Sequence, residues 1–334
     1  MICIYHNDLD GGCAAAIVER RMGKGMTFVE AGYDKVFDFK KFVSPGESVI
    51  IVDFSLKPEV MEELLEITSD ITWIDHHVTA RDYPYQNLRG LRVFEDKAMS
   101  GCELTWMYYY PGTKVPDAVR LIGDYDKWAL KYQPHCFQFY EGMKLTRHDP
   151  WESIWEDLID DENMEKTIEI IEAGKMAILY RDNYCNDLCR SFGYETEIDG
   201  IKAYACNQFM FGSKGFGHRF DQYPLCLAYI HNGKKFTVSL YSTTVDVSVI
   251  AKNHGGGGHK GAAGFVCDQL PWIVKGPGMY EVNNPTYPKV QVGKYTICRQ
   301  DESSVWIQRE GGDGGQFRDN NFEKAIDNYF DGNF

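Results

Sequence analysis

The sequence predicts an α/β protein: a doubly wound, mainly parallel sheet, a second, smaller α/β domain and a short C-terminal extension. Three observations lead there. Short apolar, partly β-branched runs alternate with helical stretches up to about residue 150. Several of those runs end in acidic or histidine clusters. From Ser191 onward the pattern changes to closely spaced short strands.

Taken in order, Ile2-Cys3-Ile4-Tyr5, Val49-Ile50-Ile51-Val52 and Ile71-Thr72-Trp73-Ile74 read as strands buried on both faces, the signature of a parallel sheet. Thr27 to Tyr33 is a further strand. Gly11 to Arg21 runs from small through apolar to basic residues, as a helix does when its start must approach a ligand and cations close its end. Pro58 to Ile67 opens with proline in the first turn. Helices are expected at 99–110 and 115–123, with Asp124 arriving at the end of the second. This alternation predicts a doubly wound parallel sheet up to about residue 150. Residues 151–190 read as a helical linker, its second helix at roughly 163–190. A second domain is expected over 191–268, with strands at 194–198, 201–206, 225–231 and 235–242 and a short helix at 245–253. The extension over 269–334 offers strands near 289–299 and 304–309 and a final helix near 320–330.

Composition excludes several classes. Apolar residues make up 44% and charged residues 25% of 334, ordinary values for a soluble globular protein. No apolar run is long enough to span a bilayer, and the N-terminus lacks the regions of a signal peptide. The ten cysteines are scattered without a CxxC pair, which points to buried thiols in a reducing cytoplasm. A net charge of −14 is the wrong sign for gripping long duplex nucleic acid. A short phosphate-bearing substrate held by metals stays compatible with it.

The clusters carry the chemistry. His6-x-Asp8-x-Asp10, Asp53, Asp75-His76-His77 and Asp124 stand where strands or a helix run out, and ligands of open α/β sheets bind beyond the strands' carboxyl ends. Five aspartates and three histidines would converge, and so many like charges share a small space only around cations. Carboxylate and imidazole without cysteine suit Mn²⁺ or Mg²⁺. Taken singly, each motif has a plainer reading: Asp8 as a helix N-cap, Asp53 as a turn residue, Asp124 as part of a helix end. The run Gly255 to Gly258 is a hinge by the same standard, yet it continues into His259-Lys260-Gly261-Ala262-Ala263-Gly264. Small residues there suit backbone approach to phosphate, with Gly257 and Gly258 close to it and His259 or Lys260 supplying charge. Phe209 to Arg219 is a candidate base-stacking loop.

These motifs, in this order, resemble the DHH phosphoesterase superfamily, named for a triplet like Asp75-His76-His77. The resemblance covers about residues 1–268 and implies a metal-binding catalytic domain over 1–150 and a substrate-binding, DHH-associated domain over 191–268, the latter marked by a Gly-Gly-Gly-His-x-x-Ala-Ala-Gly stretch at Gly256 to Gly264. It is nearest to the nano-RNase and cyclic-nucleotide phosphodiesterase branch. The compact His6-x-Asp8-x-Asp10-Gly11 spacing departs from the longer spacing of family II pyrophosphatases and speaks against that activity. The resemblance implies two Mn²⁺ ions, one on His6, Asp8 and Asp53, the other on Asp10, Asp53, His76 and Asp124. It also implies phosphate contacts from His77 and His259, and hydrolysis of short oligonucleotides to nucleoside monophosphates. A cyclic-nucleotide phosphodiesterase, a pyrophosphatase and a binding module without turnover are the alternatives.

Overall fold

The computed structural model describes residues 1–33, 38–95 and 97–272, and the backbone of four strands beyond them, at 289–292, 295–299, 304–309 and 314–318. Its contacts divide the chain into two units, Met1–Arg181 and Asp182–Phe334.

The first unit holds β1 (Ile2–His6), α1 (Leu9–Met22), β2 (Thr27–Ala31), β3 (Val49–Val52), α2 (Pro58–Ile67), β4 (Ile71–Ile74), α3 (Gly101–Tyr109), α4 (Asp117–Asp126), α5 (His135–Met143) and α6 (Ile154–Ile159). The unit boundary falls inside α7 (Glu165–Phe192). All four strands are parallel, in the order β2-β1-β3-β4. Because β1 has β2 on one side and β3 on the other, the order reverses between β1 and β3, and the ligand crevice of such sheets opens at that point.

Strand residues alternate between two cores. Cys3, Tyr5, Ile50, Val52 and Ile74 pack beneath α1, α3, α4 and α5, while Ile2, Ile4, Ile51, Ile71 and Trp73 pack against Met61 and Leu64 of α2. Burial on both faces is why these strands read as unbroken apolar runs. Helix ends follow local rules. Asp8 caps α1 by accepting from Gly11 N at 2.9 Å, and Ser100 with Glu103 forms a reciprocal capping box on α3. Helix α5 was not foreseen, although Cys136, Phe139 and Met143, all buried, have helical spacing.

The second unit contains β5 (Tyr194–Ile198), β6 (Ile201–Asn207), α8 (Arg219–Gln222), β7 (Cys226–His231), β8 (Phe236–Tyr241), α9 (Val247–Asn253), β9 (Gly257–His259) and β10 (Ala262–Cys267). They form a mixed sheet, β5-β6-β7-β8-β10-β9. The glycine run is therefore an edge hairpin, not an open loop. A Cβ on Gly256 would stand 2.1 Å from Gly264 O, and one on Gly258 2.5 Å from Ala263 Cα, so those two glycines serve strand packing, while Gly255, at φ of 77°, and Gly257 have open space around them. Beyond them, β11 (Lys289–Val292), β12 (Tyr295–Arg299), β13 (Ser304–Arg309) and β14 (Gly314–Arg318) make an antiparallel meander. The helix expected near 320–330 lies outside the described residues.

Ile51 has no exposed surface and sits in the middle of the parallel sheet. Ile51→Ala should cost about 2–5 kcal/mol of stability, read by urea denaturation in the metal-free state.

Candidate metal centre

The centre is assembled from the carboxyl ends of β1, β3 and β4 and from two helix ends. His6 is the last residue of β1, and Asp53 follows β3 directly. Asp53 has φ of 53°, a left-handed conformation that aspartate tolerates better than most residues. Its side chain is 1% exposed. Asp53 Oδ1 lies 3.1 Å from His76 Nε2, and Oδ2 lies 3.7 Å from His6 Nδ1. One carboxylate thus faces two ligand sets. His6, Asp8 and Asp53 form one group whose donor atoms lie within 4.8 Å of each other; Asp10, His76 and Asp126 form a second; His77 joins Asp53 and His76 in a third.

Asp75, first of the triplet, takes a different part. Fully buried, it accepts from the backbone N of His76 at 2.8 Å and contacts His77 Nδ1 at 2.8 Å. Its other oxygen takes the Ser55 hydroxyl. It orients the two histidines and leaves the far edge of the His77 ring free of it. Asp10 is oriented by α3, accepting from Gly101 N at 2.7 Å and Cys102 N at 3.0 Å, two of the donors that a helix start leaves open. Tyr33 was missed in the sequence. Its ring packs beside His6, His77 and Phe54, and its hydroxyl oxygen accepts from Ser55 N.

Asp124 departs from expectation. Both its oxygens are taken by loop backbone, Lys131 N and Tyr132 N at 2.9 Å each. It stands in none of the three groups, and Asp126, at the end of α4, takes the place expected for it. Asp126 Oδ2 lies 3.4 Å from His76 Nε2. Lys127, next in sequence, donates to Glu103 of the α3 capping box at 2.5 Å, which ties the end of α4 to the start of α3 beside Asp10. Gly101 is a second unforeseen element: a Cβ there would stand 2.4 Å from Asp53 Cβ and 2.5 Å from its Oδ1. Gly257, Gly258, His259 and Lys260 belong to the second unit, with His259 and Lys260 exposed.

Electrostatics fit a cation site. Burial and then the charge of Asp10 push the Asp53 carboxyl well above the carboxylate range. The same two causes raise Asp126 to about 8. At His6 burial opposes the charge, but Asp53 and Asp8 outweigh it and raise the imidazole to about 9. Burial also opposes the charge of Asp8, yet His6 and Gly11 N hold that carboxyl below its usual value. His6 Nδ1, both oxygens of Asp53 and Asp126 Oδ2 are buried without a hydrogen-bond partner, although His6 Nδ1 stands 2.8 Å from Asp8 Oδ2. Buried polar atoms left without partners are costly, and a divalent ion satisfies them together. The donor set, carboxylate oxygen and imidazole nitrogen, suits such ions.

Comparison with known proteins adds the fold. No family model matches the chain. An uncharacterized protein, R106, of Acanthamoeba polyphaga mimivirus is 27% identical over 231 residues, which is 66% of this chain and 53% of that protein; the chain thus spans about half the length of the curated relative it matches. Among solved structures, the DHH domain of a member of the s1p family of ribosomal proteins superposes with a TM-score of 0.51 at 14% identity, over 80% of this chain and 82% of that one. A pGpG-specific phosphodiesterase from Vibrio cholerae gives 0.49 at 12%, over 80% and 93%.

Two outcomes follow from the geometry. Asp126→Asn should weaken divalent-ion binding at the Asp10, His76 and Asp126 group by at least about 10–100-fold, the range that even outer-shell changes reach, as read by calorimetric titration with Mn²⁺. His6, Asp53 and Asp126 all hold protons more tightly in the folded, metal-free chain, and each must release its proton to bind an ion. Mn²⁺ affinity should therefore rise between about pH 5 and 9 with proton release. By the same sign, the metal-free fold should lose stability progressively as pH rises from about 4, the ordinary aspartate value, to about 9, and thermal melts in chelator check it.

Proposed function

We propose that this chain, a DHH-superfamily protein by fold and motif, is a metal-dependent phosphodiesterase that hydrolyses short oligonucleotides to nucleoside monophosphates with two divalent cations. The observation that carries the reading is Asp53, with one oxygen toward the His6 and Asp8 set and the other toward His76. A buried carboxylate shared between two ligand groups is the arrangement that a pair of ions requires. His6, Asp8 and Asp53 would hold one ion; Asp10, Asp53, His76 and Asp126 would hold the other. Mn²⁺ suits the imidazoles among the ligands better than Mg²⁺ does.

When bound, such ions lower the pKa of water and withdraw charge from phosphoryl oxygens. The protein's own groups position the reactants. Asp75 fixes His77 through Nδ1, so the remaining ring nitrogen is available to a phosphate oxygen. Tyr33 and Phe54 wall one side of His6. In the second unit His259 and Lys260 are exposed cation candidates for the substrate's phosphate.

Digestion of a panel of linear and cyclic dinucleotides with Mn²⁺, read by mass spectrometry, tests the reading. Nucleoside monophosphates from the linear substrates are expected. Faster loss of the cyclic ones would make the protein a cyclic-nucleotide phosphodiesterase, and no cleavage of either overturns both. Asp53→Asn keeps a residue that tolerates the left-handed backbone while removing the shared charge. It should lower turnover by roughly a thousandfold or more, since a metal's contribution is several kcal/mol at about 1.4 kcal/mol per decade.

A further inference from the structure

We infer that the second unit carries a nucleobase pocket, formed at the end of β6 with the Gln208 amide as its reading group. The inference rests on the nucleotide substrate proposed above and names where its base sits.

Gln208 follows β6 and is 6% exposed, and neither its amide oxygen nor its amide nitrogen has a hydrogen-bond partner. A buried amide with no partner is uncommon in folded proteins. It lines a cleft of about 320 Å³ together with Phe209, Met210, Phe211, Ser239 and Tyr241. Phe209 is 53% and Met210 81% exposed, large apolar surfaces held in water at the cleft mouth. Gly215 lies against the Gln208 amide, where a Cβ would stand 2.5 Å from Oε1, so the absence of a side chain there lets the backbone pass this close to the amide.

The chemistry of these walls selects the ligand. A glutamine amide offers one acceptor beside a donor and pairs with a planar edge that carries the complement, as glutamine does with adenine. Aromatic and thioether surfaces suit the flat faces of the same ring. The register supplies a phosphate neighbour. Tyr241 pairs with Ala262, and Ala262 with His259, so the cleft wall and His259 share one sheet face, two strands apart. Strand spacing makes that roughly 9–10 Å, the scale of one nucleotide from phosphate to base edge. Between them on that face stand only Ala262 and Gly264, which pairs with Ser239, so no bulky side chain blocks the path.

The test uses the full chain in chelator, where no turnover occurs. Titrations with AMP, CMP and UMP are compared with ribose 5-phosphate, which has the phosphate and no base. The intact chain should bind at least one nucleotide about tenfold more tightly than ribose 5-phosphate. Gln208→Leu and, separately, Phe209→Ser should remove most of that preference and leave ribose 5-phosphate affinity in place, which also shows that the variants are folded. Equal affinity for nucleotides and ribose 5-phosphate, no binding of any of them at millimolar concentration, or a preference that survives both substitutions overturns the pocket. Hydrolysis of bis(4-nitrophenyl) phosphate by the unaltered protein with Mn²⁺ reports the metal centre separately, so failure of the pocket is distinguishable from failure of the phosphodiesterase reading.

Discussion

Crowding of carboxylates at the switch point of a parallel sheet is the constraint on which the rest of this protein turns. Asp10, Asp53 and Asp126 approach His76 within 3.1–3.8 Å, and Asp10 and Asp53 are almost wholly buried. Three carboxylates gathered around one imidazole and shielded from water repel one another strongly. The metal-free chain relieves this by holding protons on Asp53, Asp126 and His6. Each relief is one that a cation replaces, so the fold and the ion compete with the proton for the same lone pairs.

The scaffold around the centre fixes orientation more than it adds ligands. Asp75 spends its buried oxygens on the two histidines and Ser55. The start of α3 points two backbone donors at Asp10, and its capping glutamate anchors Lys127 beside Asp126. A ligand held by such secondary contacts loses little freedom when an ion arrives, which is how outer partners tune metal sites.

Much of this was legible in the sequence because the sheet is parallel and buried. Unbroken apolar runs marked β1, β3 and β4, and polar residues just after them had to lie at the carboxyl edge. His6, Asp8, Asp10, Asp53, His76 and His77 were accessible on that logic alone. Asp126 was not. It and Asp124 differ by about 200° around a helix at 3.6 residues per turn, so the face that meets the centre depends on where α4 ends and on what the 127–132 loop offers. Lys131 N and Tyr132 N claim Asp124, a contact that no local pattern announces. The role of Gly101 was equally hidden, since its reason is a neighbour 48 positions earlier in the chain, Asp53. The start of α3, by contrast, lies within two residues of the position expected from the sequence, and the Ser100-x-x-Glu103 capping box is the local device that sets it.

The left-handed backbone at Asp53 has a consequence for how the protein can diverge. That conformation admits glycine, asparagine and aspartate with ease, and only the last of these carries a charge. Glutamate, the usual exchange for aspartate, would bring both backbone strain and an extra methylene into a place already closed by Gly101. Position 53 therefore has an alphabet of one letter, and a lineage that loses that letter has no short mutational road back to the same chemistry.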